Sequence, residues 1–197
     1  MTSPDLPVIQ ILMVCMGNIC RSPTAEGVLR AKLAQAGLSA QVLVESAGTH
    51  NYHPGSPPDA RSQAHALRRG IDLSGLKARQ VQQDDYADFD LILAMDWDNL
   101  ALLQVDCPPQ YAAKLKLLME FAVGVREPES AASAASAVSV DSPGTAPSGQ
   151  GGTGISAVVP DPYHGGEAGF EQVLDLVELA CGGLVAHLRS ALVAHRP

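Results

Sequence analysis

Basic clusters are missing from this chain. Its 197 residues hold 13 Lys and Arg against 21 Asp and Glu, a formal charge of −8, and nowhere do the basic side chains gather into a run. Proteins that hold nucleic acid or anionic lipid by charge carry a concentrated basic footprint, so neither is expected as a partner. Long apolar stretches are missing too. No uninterrupted run approaches the roughly 18 residues of a membrane span. The opening residues, Met-Thr-Ser-Pro-Asp-Leu-Pro, have neither the basic nor the apolar part of a secretory leader. A soluble, cytoplasmic protein is the expectation. Cysteine is sparse: Cys15, Cys20, Cys107 and Cys181 include no C-x-x-C pair and stand with no His pair. That excludes a zinc ribbon and a secreted disulfide framework, and leaves reduced thiols with no metal or cofactor.

What is present is enough apolar material, 46% of the chain, for one well-buried core, and the whole of 1–197 reads as a single domain. Val8 to Val14 is a continuous apolar run of the kind found in a central parallel strand covered on both faces. A helix is predicted from about Ser22-Pro23, with Ser22 as N-cap, Pro23 in the first turn, Glu26 near the positive end, and Gly37 as the stop. Further strands are predicted at 41–45, 91–95 and 116–120. Helices are predicted at 59–69, from Asp96 onward, and from about 167 to 192. Strands alternating with helices imply an α/β fold with a doubly wound parallel sheet.

Residues 127–159 break that alternation. Ala, Ser, Gly, Pro and Thr supply most of the positions, aromatic residues are absent, and the only charges are Glu127, Glu129 and Asp141. So few large apolar side chains do not offset the entropy of ordering a backbone, and a flexible low-complexity insertion is expected here.

The chemistry concentrates at the end of the first strand, in Cys15-Met16-Gly17-Asn18-Ile19-Cys20-Arg21-Ser22. Five residues separate Cys15 from Arg21, so their backbone N–H groups can curl around one tetrahedral anion while the following helix aims its positive end at the same point. A thiol in such surroundings ionises readily and becomes a nucleophile. Arg21 offers a planar fork to two phosphoryl oxygens. Gly17 is expected to give the loop its curvature and Asn18 to brace it. Besides capping, the Ser22 hydroxyl can donate to the Cys15 thiolate and make it a better leaving group. A bare C-x5-R match arises often by chance, and a Cys after a buried strand is more commonly an inert core residue than a nucleophile. It is the order of strand, Gly-bearing loop, Arg-Ser-Pro and helix that favours the cradle.

The segment Val14–Glu26 resembles the signature loop of the low-molecular-weight protein tyrosine phosphatase family. Glu45–Thr49, Gly70–Ser74 with Ala78-Arg79-Gln80, Leu91–Asp96, and Asp161-Pro162-Tyr163 with Gly165-Gly166 are similar to later segments of that family. The resemblance implies a flavodoxin-like three-layer sandwich with a four-stranded parallel sheet and a site at the carboxyl ends of the strands. It also implies a monomeric hydrolase acting on phosphotyrosine in proteins without a cofactor. Carried over, Cys15 is the nucleophile, Arg21 the phosphate clamp, and Asp161 the general acid and later base. Met16, Gly17, Asn18, Ile19, Cys20 and Ser22 form the phosphate loop, Tyr52 and Tyr163 wall a slot for an aromatic ring, and Ser46 supports the loop.

Three features depart from the family's pattern. Leu76 stands where a loop-bracing His is common, His164 stands where an aromatic often follows the Asp-Pro-Tyr triplet, and the insertion ends directly before the acid loop. Cys20 could shield Cys15 through a reversible disulfide or be a small buried side chain. Two other functions share parts of the pattern. A thioredoxin-coupled arsenate reductase needs two more cysteines close together, and a non-catalytic phosphotyrosine-binding module needs neither nucleophile nor acid.

Overall fold

The computed structural model describes residues 8–122 and 156–194. The first apolar run forms β1 (Ile9–Cys15) at the centre of the sheet, because it is buried on both faces. Ile11, Met13 and Cys15 point into one apolar cluster and Leu12 and Val14 into another, which is why the run reads as continuous rather than alternating. The chain then enters α1 (Arg21–Ala36), returns in β2 (Val42–Gly48), and passes through α2 (Ala60–Arg68) and the short α3 (Asp85–Asp88) to β3 (Leu91–Ala94). After α4 (Trp97–Asp106) comes β4 (Leu115–Leu117), and the chain ends in the long α5 (Glu167–Ala194).

All pairings are parallel and the sheet order is β2-β1-β3-β4. The α/β architecture with a four-stranded parallel sheet is therefore as expected. α1 and α5 cover the face that carries Val28, Leu29, Leu33, Val173, Val177, Cys181 and Leu184, while Leu100 and Leu103 of α4 and Tyr86 of α3 cover the other. Order reverses between β1 and β3, which opens a crevice beyond their carboxyl ends, the place where open α/β sheets bind ligands. Cys15 ends β1 there and Asp96 follows β3.

By length and composition α5 could cross a membrane. Its apolar stripe, from Phe170 through Val173, Val177 and Leu184 to Leu188, is instead buried in the core, and acidic residues interrupt the helix on its other side.

Several boundaries differ from the sequence reading. α1 starts at Arg21 with Cys20 at the cap position and no side-chain cap, so Ser22 lies inside the first turn and its hydroxyl is free to face Cys15. β2 runs three residues further than expected, because Gly48 pairs with Cys15 and Gln80 bridges Gly48 from its other side. β4 is one residue earlier and shorter, and 118–121 form a 3-10 turn held by Glu120 accepting from the Leu117 amide. Gly37 does end α1, with φ 70° and its amide donating to Ala34. Of the expected insertion, 127–155 lie outside the described residues. Its last positions do not fit an unpacked segment: Val159 is fully buried and its amide donates to Met95 O at 2.8 Å.

Candidate active site

The turn from β1 to α1 is made by Asn18, which alone among the described non-glycine residues has a positive φ, 54°. Curvature was expected of Gly17, whose φ is not in that region. Asn tolerates the left-handed conformation, and here its side chain is tied down on every side. Its Nδ2 donates to Ser22 Oγ and Ser46 Oγ, both at 2.9 Å, and its Oδ1 accepts from the Arg79 amide at 2.8 Å. The bracing continues outward. Ser46 donates to Glu26 Oε2 at 2.6 Å, and Arg30 holds the other oxygen of that carboxylate at 2.6 Å. Burial pushes the Glu26 carboxyl up, while the Ser46 hydroxyl and Arg30 work in the other direction. Leu76, in place of the family's His, packs against the apolar core, and Ser46, Glu26 and Arg79 supply the bracing.

Ser22 Oγ lies 3.0 Å from Cys15 Sγ and 3.2 Å from Ala47 O. A hydroxyl has one hydrogen, so donation to a thiolate requires it to turn away from Ala47. Gly48, at the end of β2, lets the two loops touch: a Cβ there would meet Met16 O at 2.6 Å and Asn18 N at 3.2 Å.

Arg21 is buried, and both of its terminal nitrogens are bonded. Its Nη1 donates to Asp96 Oδ2 and, at 3.3 Å, to Val159 O, and its Nη2 reaches Asp161 Oδ2 at 2.9 Å. Burial alone disfavours its charge, but Cys15, Asp96 and Asp161 more than offset this and hold the guanidinium above its ordinary value. Asp96 serves twice, since its Oδ1 also caps α4 by accepting from the Asn99 amide at 2.7 Å. Asp161 is half exposed at the mouth, with Oδ1 accepting from the Tyr163 amide at 3.1 Å.

These groups surround a cavity of about 220 Å³. Cys15, Met16, Gly17, Ile19, Cys20 and Arg21 form its floor and near wall, and Tyr52, Asp161 and Tyr163 its rim. Asn18, Ser22 and Ser46 are not in the wall: they stand behind the loop and hold its shape. The rim also carries His53 and His164. Tyr52 is exposed and stacks on His50, ring centroids 4.9 Å apart. Burial pushes the Cys20 thiol up to about 12, with the negative charges of Asp59, Cys15 and Asp161 adding to it while Ser62 opposes, so Cys20 is a neutral thiol at neutral pH. All four cysteines are free.

The sequence reading missed Asp96 as a partner of Arg21, Glu26 as a partner of Ser46, and His53 on the rim. Asp96 had a usable signal: an acidic residue directly after the strand neighbouring β1 must emerge beside the phosphate loop.

The model of the low molecular weight phosphotyrosine protein phosphatase family matches residues 10–132 and 151–194. A low molecular weight protein-tyrosine-phosphatase of Streptomyces coelicolor is 37% identical over 181 residues, spanning 91% of this chain and 93% of that protein. The human low molecular weight phosphotyrosine protein phosphatase is 33% identical over 171 residues, 87% of this chain and 90% of its own. Among solved structures, a protein tyrosine phosphatase of Entamoeba histolytica with Hepes in its active site superposes with a TM-score of 0.75 at 33% identity, covering 93% of this chain and 98% of that one. The matched residues take in the Cys15–Ser22 loop, the sheet and the Asp161–Tyr163 segment, and the chain belongs to the low molecular weight phosphotyrosine protein phosphatase family.

Proposed function

We propose that this chain hydrolyses phosphotyrosine in proteins through a phosphocysteine intermediate. The observation that carries the reading is the convergence of Cys15, Arg21 and Asp161 on one cavity, with the acid paired to the clamp at 2.9 Å. An incoming phosphate takes the place of the Asp161 carboxylate on Arg21, which binds two phosphoryl oxygens through its fork. Asp161, released from Arg21, takes up a proton from solvent; the Cys15 thiolate then attacks phosphorus, the aryl P–O bond breaks, and Asp161 gives that proton to the departing phenolate. Water then attacks phosphorus and loses a proton to Asp161, and the S–P bond breaks as Ser22 donates to the sulfur. Asn18 and Ser46 keep the loop in register through both steps, and Tyr52 and Tyr163 flank the aromatic ring. Four free cysteines fit work in a reducing compartment such as the cytoplasm.

The reductase alternative has no support from the other cysteines. Cys181 is buried in the α1/α5 face of the core and Cys107 packs against the opposite face of the sheet, so they do not form a relay pair. The test is hydrolysis of p-nitrophenyl phosphate by the wild type, Cys15→Ser and Asp161→Ala, with arsenate-dependent thioredoxin oxidation alongside. Turnover abolished by Cys15→Ser and slowed about 10²- to 10⁴-fold by Asp161→Ala is expected. A wild type that reduces arsenate and leaves the ester intact would overturn the reading. Silence in both assays would leave a binding module.

A further inference from the structure

Asp161 stands between two buried neighbours, Val159 before it and Pro162 after it. Upstream it is fixed two residues away, where Val159 is buried, donates its amide to Met95 O and accepts from Arg21 at 3.3 Å. Downstream, Pro162 is buried beside Gly169 of α5, and beyond it the exposed Tyr163, whose amide donates to Asp161 Oδ1 at 3.1 Å, is tied to the body of the fold by Arg61 of α2. Arg61 Nη1 donates to Tyr163 O at 3.2 Å, and the guanidinium lies over the Tyr163 ring at 5.5 Å and the Phe170 ring at 4.7 Å. The guanidinium is itself aimed. Its Nε and Nη2 bond both oxygens of Asp59 at 3.0 and 2.9 Å, and Asp59 Oδ1 also accepts the Arg61 amide at 2.8 Å. Asp59 in turn is anchored on the phosphate loop, because its amide donates to Ile19 O at 2.8 Å.

We propose that Arg61 is a positioning residue for general-acid catalysis: with Asp59 it ties the Tyr163 end of the acid loop to the phosphate loop and so sets where Asp161 stands over the leaving group. Arg61 does not line the cavity and touches no reacting atom. Its own side of the pair with Asp59 is exposed to solvent, where ion pairs contribute little to stability. Geometry is a different matter, since a catalytic group displaced by about 1 Å costs on the order of 10² in rate. A planar fork that also stacks between two rings is what Lys lacks. The inference rests on Asp161 being the acid, and its test separates the two.

The measurement is kcat/KM across aryl phosphates from 2,4-dinitrophenyl phosphate, whose leaving group departs unprotonated, to phenyl phosphate, whose leaving group needs the proton. It is made for the wild type, Asp161→Ala, Arg61→Ala and Arg61→Lys, with thermal denaturation of each. Arg61→Ala is expected to lose about 10- to 100-fold on phenyl phosphate and less than about threefold on the dinitrophenyl ester, with Arg61→Lys between it and the wild type and melting unchanged. A loss equal across the series, or no loss, while Asp161→Ala shows the steepened dependence, overturns the role of Arg61 alone. A flat loss in Asp161→Ala removes the acid itself, and the positioning role with it.

Discussion

Asn18 and Gly48 explain why the phosphate loop has one shape, each by a constraint that belongs to its residue type. Asn18 takes the left-handed turn and satisfies three neighbours with one amide group, and Gly48 has no Cβ because the backbone of Met16 fills the space. Gly48→Ala therefore forces the loop to move. The expected result is a weakening of inorganic phosphate as a competitive inhibitor by tenfold or more, together with a stability loss of about 1–3 kcal/mol, read by inhibition constants and denaturant melts. An unchanged inhibition constant would mean that β2 yields instead of the loop. Ser22 makes a different prediction, because in the proposed mechanism its hydroxyl serves a charged sulfur in the second chemical step. A hydrogen bond to a charged group is worth about 1.5–3 kcal/mol. Ser22→Ala is expected to slow phosphoenzyme hydrolysis about 10- to 100-fold and to release phenol in a burst equal to the enzyme concentration. Slow turnover with no burst would place the defect in the first step and contradict a leaving-group role.

At the level of elements, the acid loop is held between α2 and α5, which are tied by charge. Arg69, one residue past α2, reaches Glu171 at 2.5 Å, Asp175 at 2.8 Å and Glu178 at 3.3 Å, three carboxylates on one face of α5. Glu171 also pairs with Nδ1 of the buried His65 at 2.5 Å, and His65 stacks on Phe170. Arg69 first and His65 second hold the Glu171 carboxyl below its ordinary value. A carboxyl lowered in the folded state contributes stability above its unfolded pKa and loses it as pH falls through the folded one. Glu171→Gln is thus expected to melt lower than the wild type at pH 7, with the gap closing as pH drops below about 4. A gap independent of pH would assign the effect to packing. Half of this tie was legible beforehand. The apolar stripe of α5 follows from its helical period, but the partner of its acidic stripe did not, because Arg69 lies 102 positions from Glu171 and its own helix shows no sign of which way it will face.

Across the molecule the same division holds between what repeats locally and what is brought together by folding. Alternating apolar strands and helices implied the parallel sheet, and the Cys15–Ser22 spacing implied the cradle at the carboxyl end of its inner strand β1. The pairing of Arg21 with Asp96 spans 75 positions and that with Asp161 spans 140, so only the sheet order, β1 beside β3, makes them neighbours. Composition likewise placed the end of the low-complexity stretch too late, because small residues continue up to Val159 although Val159 is a core residue. The family model passes over residues 133–150 and resumes at 151, before that buried valine. Removing 133–150 should leave the site intact. If the stretch is an unpacked closure, roughly halving it reduces the entropy of joining its ends by about 0.6 kcal/mol, and a chain of this size should melt about 1–3 °C higher with unchanged kcat/KM. Val159→Ala tests the other side of the boundary. It deletes two buried methyl groups where the acid loop is anchored, so about 2 kcal/mol of stability should be lost together with acid-dependent turnover of phenyl phosphate. A deletion that melts several degrees lower would show that 133–150 pack on the fold, whereas a neutral Val159→Ala would show that the Met95 backbone contact alone anchors the loop.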